Sequence, residues 1–192
     1  GGGLRLVDSS DVALHGNTIA HNYCPGICWG GGLRVEYSDR VTITDNSIYS
    51  NLGVYGGGVS LSGCNAAVSG NRIYSNTASQ GGGIHTYSSS PHLSGNVVTG
   101  NTAHYSGGGL HMAWNAPTLV NNVVTDNAMD QATGHGSGIC VIRSSPRLWH
   151  TTVARNSGGD GSGIHVTSEG TGLSSVSMTN TIISDHRVGI TV

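Results

Sequence analysis

Apolar and polar positions alternate along this chain in short bursts, and each burst begins after a run of small residues. GGGL, GGGL, GGGV, GGGI, GGGL, GSGI, GSGI and a closing VGI place the last glycine of each run at Gly3, Gly32, Gly58, Gly83, Gly109, Gly138, Gly163 and Gly189. The steps between them are 29, 26, 25, 26, 29, 25 and 26 residues. A fixed period of this length marks a solenoid, because one unit cannot bury its apolar face alone and must stack on its neighbours.

One coil serves for the rest. From Gly81 to Ser106 the chain reads GGGIHTYSSSPHLSGNVVTGNTAHYS. Ile84 and Thr86 alternate with His85 and Tyr87, which predicts a strand; the SSSP that follows is turn chemistry ending at Pro91. Leu93 starts a second short strand, and Asn96, Val98 and Asn101 form an NxVxxN unit that turns into a third. Three short strands per coil, in coils of 25–29 residues, predict an all-β chain folded as a right-handed parallel β-helix of about seven coils. Coils start near Gly1, Gly30, Gly56, Gly81, Gly107, Gly136 and Gly161, with an eighth near Val188, so residues 1–192 form one β-helix segment.

Aligning the coils produces columns. Inward positions of the first strand read Leu4, Leu33, Val59, Ile84, Leu110, Ile139, Ile164 and Ile190, then Leu6, Val35, Leu61, Thr86, Met112, Val141, Val166 and Val192. The second strand adds Leu14, Ile43, Val68, Leu93, Leu119, Leu148 and Met178; the third adds Ile19, Ile48, Ile73, Val98, Val124, Val153 and Ile183. A one-residue slip would turn all of them outward, so this pattern fixes the register. Two polar columns run beside them: Asn17, Asn46, Asn71, Asn96 and Asn122, continued by Thr151 and Thr181; and Asn22, Asn51, Asn76, Asn101, Asn127 and Asn156, continued by His186. Asparagine tolerates left-handed backbone, and amides one rung apart can form a ladder, so these are assigned to bends.

The motifs GGG plus an aliphatic and GNTIAHN, DNSIYSN, GNRIYSN, GNVVTGN and NNVVTDN resemble the right-handed β-helix repeat family over essentially the whole chain. They are especially similar to secreted bacterial repeats of the polymorphic outer-membrane-protein type, which read GGA plus an aliphatic and FxxN. Here a third Gly replaces Ala, Ile or Val replaces Phe, and Phe is absent. The resemblance implies export and extracellular, cell-surface or matrix display. It does not imply one activity, because the same fold hosts polysaccharide lyases, epimerases, tailspikes and adhesins.

Composition narrows the function classes. Glycine makes up 32 of 192 residues without the every-third spacing of collagen, and only 9% of residues are charged, none of them Lys. That leaves no basic stripe for nucleic acid, and no apolar run of about 18 residues exists, so no membrane span is expected in this segment. The GGG triplets lack the helix and Lys of a phosphate loop. No cofactor is expected. With neither a leader nor an initiating Met, and with a start and finish inside coils, a piece of a longer chain is expected, its open ends covered by flanking coils or by copies of itself. End-to-end stacking would give a fibre.

Candidate chemistry lies on the outward face of the first strand, expected to be solvated: Arg5, Arg34, Ser60, His85, His111, Cys140 and His165, flanked by Glu36, Tyr87 and others. His85, Tyr87, His111 and Arg34 are the candidates for a uronate-abstracting lyase or epimerase, which needs an acid/base pair beside a carboxylate-holding Arg. A glycosidase pair or Ca²⁺ cluster is not in view, since Glu36 is the only acid on the strip and Asp8 and Asp11 read as turn residues. His85 and His111, on adjacent rungs about 4.8 Å apart, are the metal candidates; ligands three rungs apart cannot share an ion. Ten histidines would make the net charge positive below about pH 6.

Inserted loops carry the other candidates. Tyr23–Trp29 in coil one and Met129–His135 in coil five precede a triplet, while coil seven bulges at Ser168–Ser174. Tyr23, Trp29, Tyr55 and Tyr105 share that first edge and are the candidates for stacking on sugar rings. Cys24 and Cys28, in YCPGICW, either close a small ring or stand as two loop thiols; Cys64 and Cys140 lie three coils apart, too far to bridge. The leading expectation is a structural or adhesive element without catalysis. A polysaccharide-acting enzyme and a non-catalytic carbohydrate-binding surface are the alternatives.

Overall fold

The computed structural model describes residues 1–168 and 172–192; the middle of the Ser168–Ser174 bulge lies outside the described residues. The chain winds through about seven turns of parallel β-structure. The first sheet has eight strands, from Leu4–Val7 to Val188–Thr191. The second and third have seven each, beginning at Ala13–His15 and Thr18–Ala20.

Register follows the aliphatic columns. Leu33 pairs with Val59, Val59 with Ile84, Ile84 with Leu110, Leu110 with Ile139 and Ile139 with Ile164. Leu33, Ile43, Ile48, Leu61, Ile73, Leu119 and Leu148 are fully buried and form one continuous core along the axis. At roughly 25 cal/mol per Å² of apolar surface buried, each such side chain contributes about 1.5–3 kcal/mol.

The structure corrects the expectation of three strands per coil. A fourth sheet, Thr77–Gln80, Thr102–Ser106, Ala128–Met129 and Ser157–Gly158, follows the second asparagine column. Its inward contribution is a single residue per coil, Ala78, Ala103 or Met129, too little alternation to stand out in the sequence.

Corners are made by left-handed residues, and here too the expectation is corrected. The asparagines are not themselves at positive φ; the residue before each is. Gly70 (φ 66°) precedes Asn71, Ser75 (φ 53°) precedes Asn76, and Asp126 (φ 57°) precedes Asn127. A second kind of corner ends the first strand, at Tyr37, Ser88, Trp114 and Arg143, and Asp8 and Asp11 are also left-handed. A left-handed residue costs about 1–2 kcal/mol with a β-carbon present. The asparagine after it offsets that cost: Asn76 Oδ1 accepts from Asn51 N and Nδ2, both at 3.0 Å, while its Nδ2 donates to Ile48 O and Asn101 Oδ1. Two donors and two lone pairs are all used. The ladder runs from Asn17 through Asn46, Asn71 and Asn96 to Asn122, and from Asn22 through Asn51, Asn76, Asn101 and Asn127 to Asn156. It closes on His186, whose Nε2 lies 3.1 Å from Asn156 Nδ2.

The triplets mark where consecutive coils touch backbone to backbone. A β-carbon on Gly82 would sit 2.5 Å from the carbonyl oxygens of Gly108 and Thr102, and Gly81 before it is left-handed (φ 65°). At the third position, where the similar repeats carry alanine, a β-carbon on Gly83 would meet Val98 Cγ1 at 2.7 Å and Gly109 O at 2.8 Å, so glycine is kept there too.

Candidate functional site

The outward strip of the first sheet does not face open solvent along its length. Ser60, His85, His111 and Cys140 are buried, against the expectation of a solvated face. The residues that run into each triplet fold over the strip, pinned rung to rung by bridges between Trp29 and Tyr55 and between Tyr55 and Gln80. Trp29 packs 4.6 Å from Tyr55 ring to ring, and both close on His85, at 5.3 and 5.4 Å. His85 stacks flat on His111, centroids 5.0 Å apart with planes 3° apart.

The result is a groove of about 420 Å³ along the strip, lined by Trp29, Tyr55, Gln80, His85, Tyr87, His111, Ala113, Trp114 and Ile142. Tyr87 and Trp114 are its exposed rings, 39% and 50% accessible; Tyr87 packs edge-on against half-buried Trp29, centroids 5.8 Å apart, and Tyr55 is half-buried beside it. Gln80 and the two tyrosine hydroxyls supply hydrogen-bonding groups. His85 and His111 form the floor. Among the described residues, His85 Nδ1 and both ring nitrogens of His111 have no hydrogen-bond partner. Burial, with the neighbouring His111 second, pushes the His85 pKa well below its ordinary value, and burial alone takes His111 to about 4. Both imidazoles are neutral at pH 7, and among the described residues no charged side chain lines the groove.

Among the sequence candidates, His85, Tyr87, His111, Trp29 and Tyr55 come together here, and Arg34 does not. Arg34 lies outside the lining, its guanidinium 5.9 Å from the Trp29 ring and paired to Glu36 at 2.6 Å, with Arg5 also reaching Glu36 at 3.6 Å. Outside the lining and paired to Glu36, Arg34 is not placed to hold a uronate in this groove. Tyr23 and Tyr105, 64% and 59% exposed, stand away from the groove. The acid titration expected of ten histidines also changes, because burial lowers the pKa of His85, His111, His165 and His186.

Trp114 and Gln80 were not legible as site residues. Trp114 occupies a left-handed corner (φ 60°), a conformation rare for a bulky side chain, and Arg143 from the next coil lies 4.3 Å over its ring. In the inserted loop Cys24 and Cys28 form a disulfide, while Cys64 and Cys140 are buried thiols.

Residues 31–192 match the family described as right-handed β-helix region. The chain belongs to this family. The groove crosses several of its columns: Trp29, Tyr55 and Gln80 before the triplets, His85 and His111 on the first strand, and Tyr87, Ala113 and Ile142 at that strand's end. No curated protein and no solved structure matches the chain. The family's fold is compatible with a structural or a carbohydrate-associated role. Among the described residues no helix is long and apolar enough to cross a membrane.

Proposed function

We propose that the chain is a rigid β-helix segment of a secreted or cell-surface protein that holds an uncharged glycan chain in the Trp29–Trp114 groove without cleaving it. The observation that carries this reading is the lining: the rings of Trp29, Tyr55, Tyr87 and Trp114 and, among the described residues, no Asp, Glu, Lys or Arg. Aromatic faces take the apolar faces of sugar rings, and a few fixed hydrogen-bonding groups orient the hydroxyls. A lyase or epimerase needs a cation for the uronate and a base poised near neutrality; Arg34 is engaged by Glu36, and burial holds His111 at about 4. Display outside the cell is supported by the likeness of the GGG and NxIxxN repeats to secreted bacterial surface repeats.

A glycan array followed by calorimetry tests the proposal. Neutral oligosaccharides are expected to bind and uronates to bind less well. Trp29→Ala and Trp114→Ala should each weaken binding by about tenfold or more, whereas Tyr105→Ala should not. Binding unaffected by Trp114→Ala would remove the groove from consideration. New ultraviolet absorbance from unsaturated ends on a uronic-acid polymer would replace a binding surface with a lyase.

The same reading gives the apolar end rung, where Ile182, Val188 and Ile190 are 58%, 37% and 39% exposed, to contact with flanking coils or with a copy of the chain. Sedimentation velocity that finds no association as concentration rises would exclude the copy.

A further inference from the structure

One coil beyond Ile142, where the groove ends, the same face carries a compact group of a different chemistry. His165 is the outward residue paired with Cys140 in the first sheet. His135 is brought alongside by the extra residues of coil five: its amide donates to Tyr105 O at 2.9 Å and its carbonyl accepts from Gly107 N at 3.0 Å. Asp160 sits in the turn before the Ser162–Thr167 strand, with its amide donating to Gly134 O at 2.8 Å. One carboxylate oxygen, Oδ1, accepts from Ser162 N at 2.9 Å and Ser162 Oγ at 2.6 Å. The other, Oδ2, lies 3.2 Å from His135 Nδ1 and 3.0 Å from His165 Nδ1, and the two imidazole rings stack with centroids 4.6 Å apart.

We infer that His135, Asp160 and His165 form a three-ligand site for a divalent transition-metal ion of the zinc class, with a fourth position open to solvent. The three ligand atoms lie within 4.8 Å of one another. Zinc bonds of about 2.0–2.1 Å in a tetrahedron put ligands roughly 3.3 Å apart, so small side-chain rotations suffice. Two imidazole nitrogens and one carboxylate oxygen are a donor set that suits zinc, and Ser162 holds the carboxylate in the way outer-shell hydrogen bonds orient metal ligands. His135 is the accessible side, its side chain 53% exposed against 23% for Asp160 and 15% for His165.

Nearby pairs differ in kind. His104 meets Asp130 at 2.5 Å, but no third ligand joins them in a group of this type among the described residues. His85 and His111, the pair expected from the sequence, stack face to face under an aromatic cover with no carboxylate beside them. The site is independent of any glycan in the groove.

Titration calorimetry of the tag-free chain with zinc chloride tests the inference, with cobalt chloride giving a visible four-coordinate absorption as a second readout. One ion per chain is expected at micromolar affinity or tighter, with a rise in melting temperature. His135→Gln, in an exposed loop and checked for fold by circular dichroism, should weaken binding at least about tenfold, as should Ser162→Ala, which leaves all three ligands in place. His104→Gln should leave it unchanged. An absence of saturable binding, or full binding in folded His135→Gln, would overturn it.

Discussion

Each interior asparagine does the work of a corner, and that work can be measured one residue at a time. Removing the Asn76 amide leaves Asn51 N, Asn51 Nδ2 and Ile48 O, all in the interior of the ladder, without their partner. A buried unsatisfied group costs about 1–3 kcal/mol, so Asn76→Ala should cost about 3 kcal/mol or more by urea unfolding. Asn17, at the exposed end of its column and with a single rung to bond, should cost much less. His111 makes the pH prediction. Above about pH 6.5 it is neutral in folded and unfolded chains alike; below that the unfolded chain takes up a proton and the buried ring does not, down to its folded value of about 4. Stability should therefore fall between pH 6.5 and 4, by about 3 kcal/mol for this residue, with His85 acting in the same direction. Chemical unfolding at stepped pH should show that slope, flattened in His111→Leu; a flat curve in the parent chain would mean the ring is solvated. The inward aliphatics were legible because alternation has a period of two. The left-handed residues were not, because Gly70, Ser75 and Asp126 share no side-chain chemistry, only a place before the asparagine.

At the scale of the element, triplets and corners tolerate substitution differently even though both are glycine-rich. At Gly82 an added methyl meets two backbone oxygens at 2.5 Å, neither of which can yield without breaking the coil-to-coil ladder. At Gly100 the backbone is left-handed (φ 61°) but nothing lies within 4 Å. Gly100→Ala should thus cost about 1 kcal/mol and Gly82→Ala 2 kcal/mol or more, readable as the difference in unfolding midpoints. The fourth sheet was hidden for the converse reason: Ala78 and Ala103 bury little and alternate with nothing. The groove was half legible. Columns bring His85 over His111, but they do not reveal that Trp29 and Tyr55 arrive from the preceding loops to cover them, or that Asp160 and His135 reach His165 from outside its own column.

Across the whole molecule the contacts are between neighbours along the axis, so stability is a sum over coils and interfaces. Deleting Gly81–Ser106 removes one complete coil and joins Gln80 to Gly107, restoring glycine over glycine on both sides. That chain should keep its β circular dichroism with a lower unfolding midpoint, and it should lose the groove floor at His85. The most direct test of the functional reading is optical. The chain has three tryptophans, and Trp149 lies in the second sheet, away from the groove, so a Trp149→Phe variant reports only on Trp29 and Trp114. Titrated with neutral oligosaccharides, its fluorescence should change saturably, and titrated with uronate oligosaccharides of the same length it should change little. An unchanged spectrum across the neutral series, or an equal response to the acidic one, would contradict an aromatic groove built for uncharged sugar.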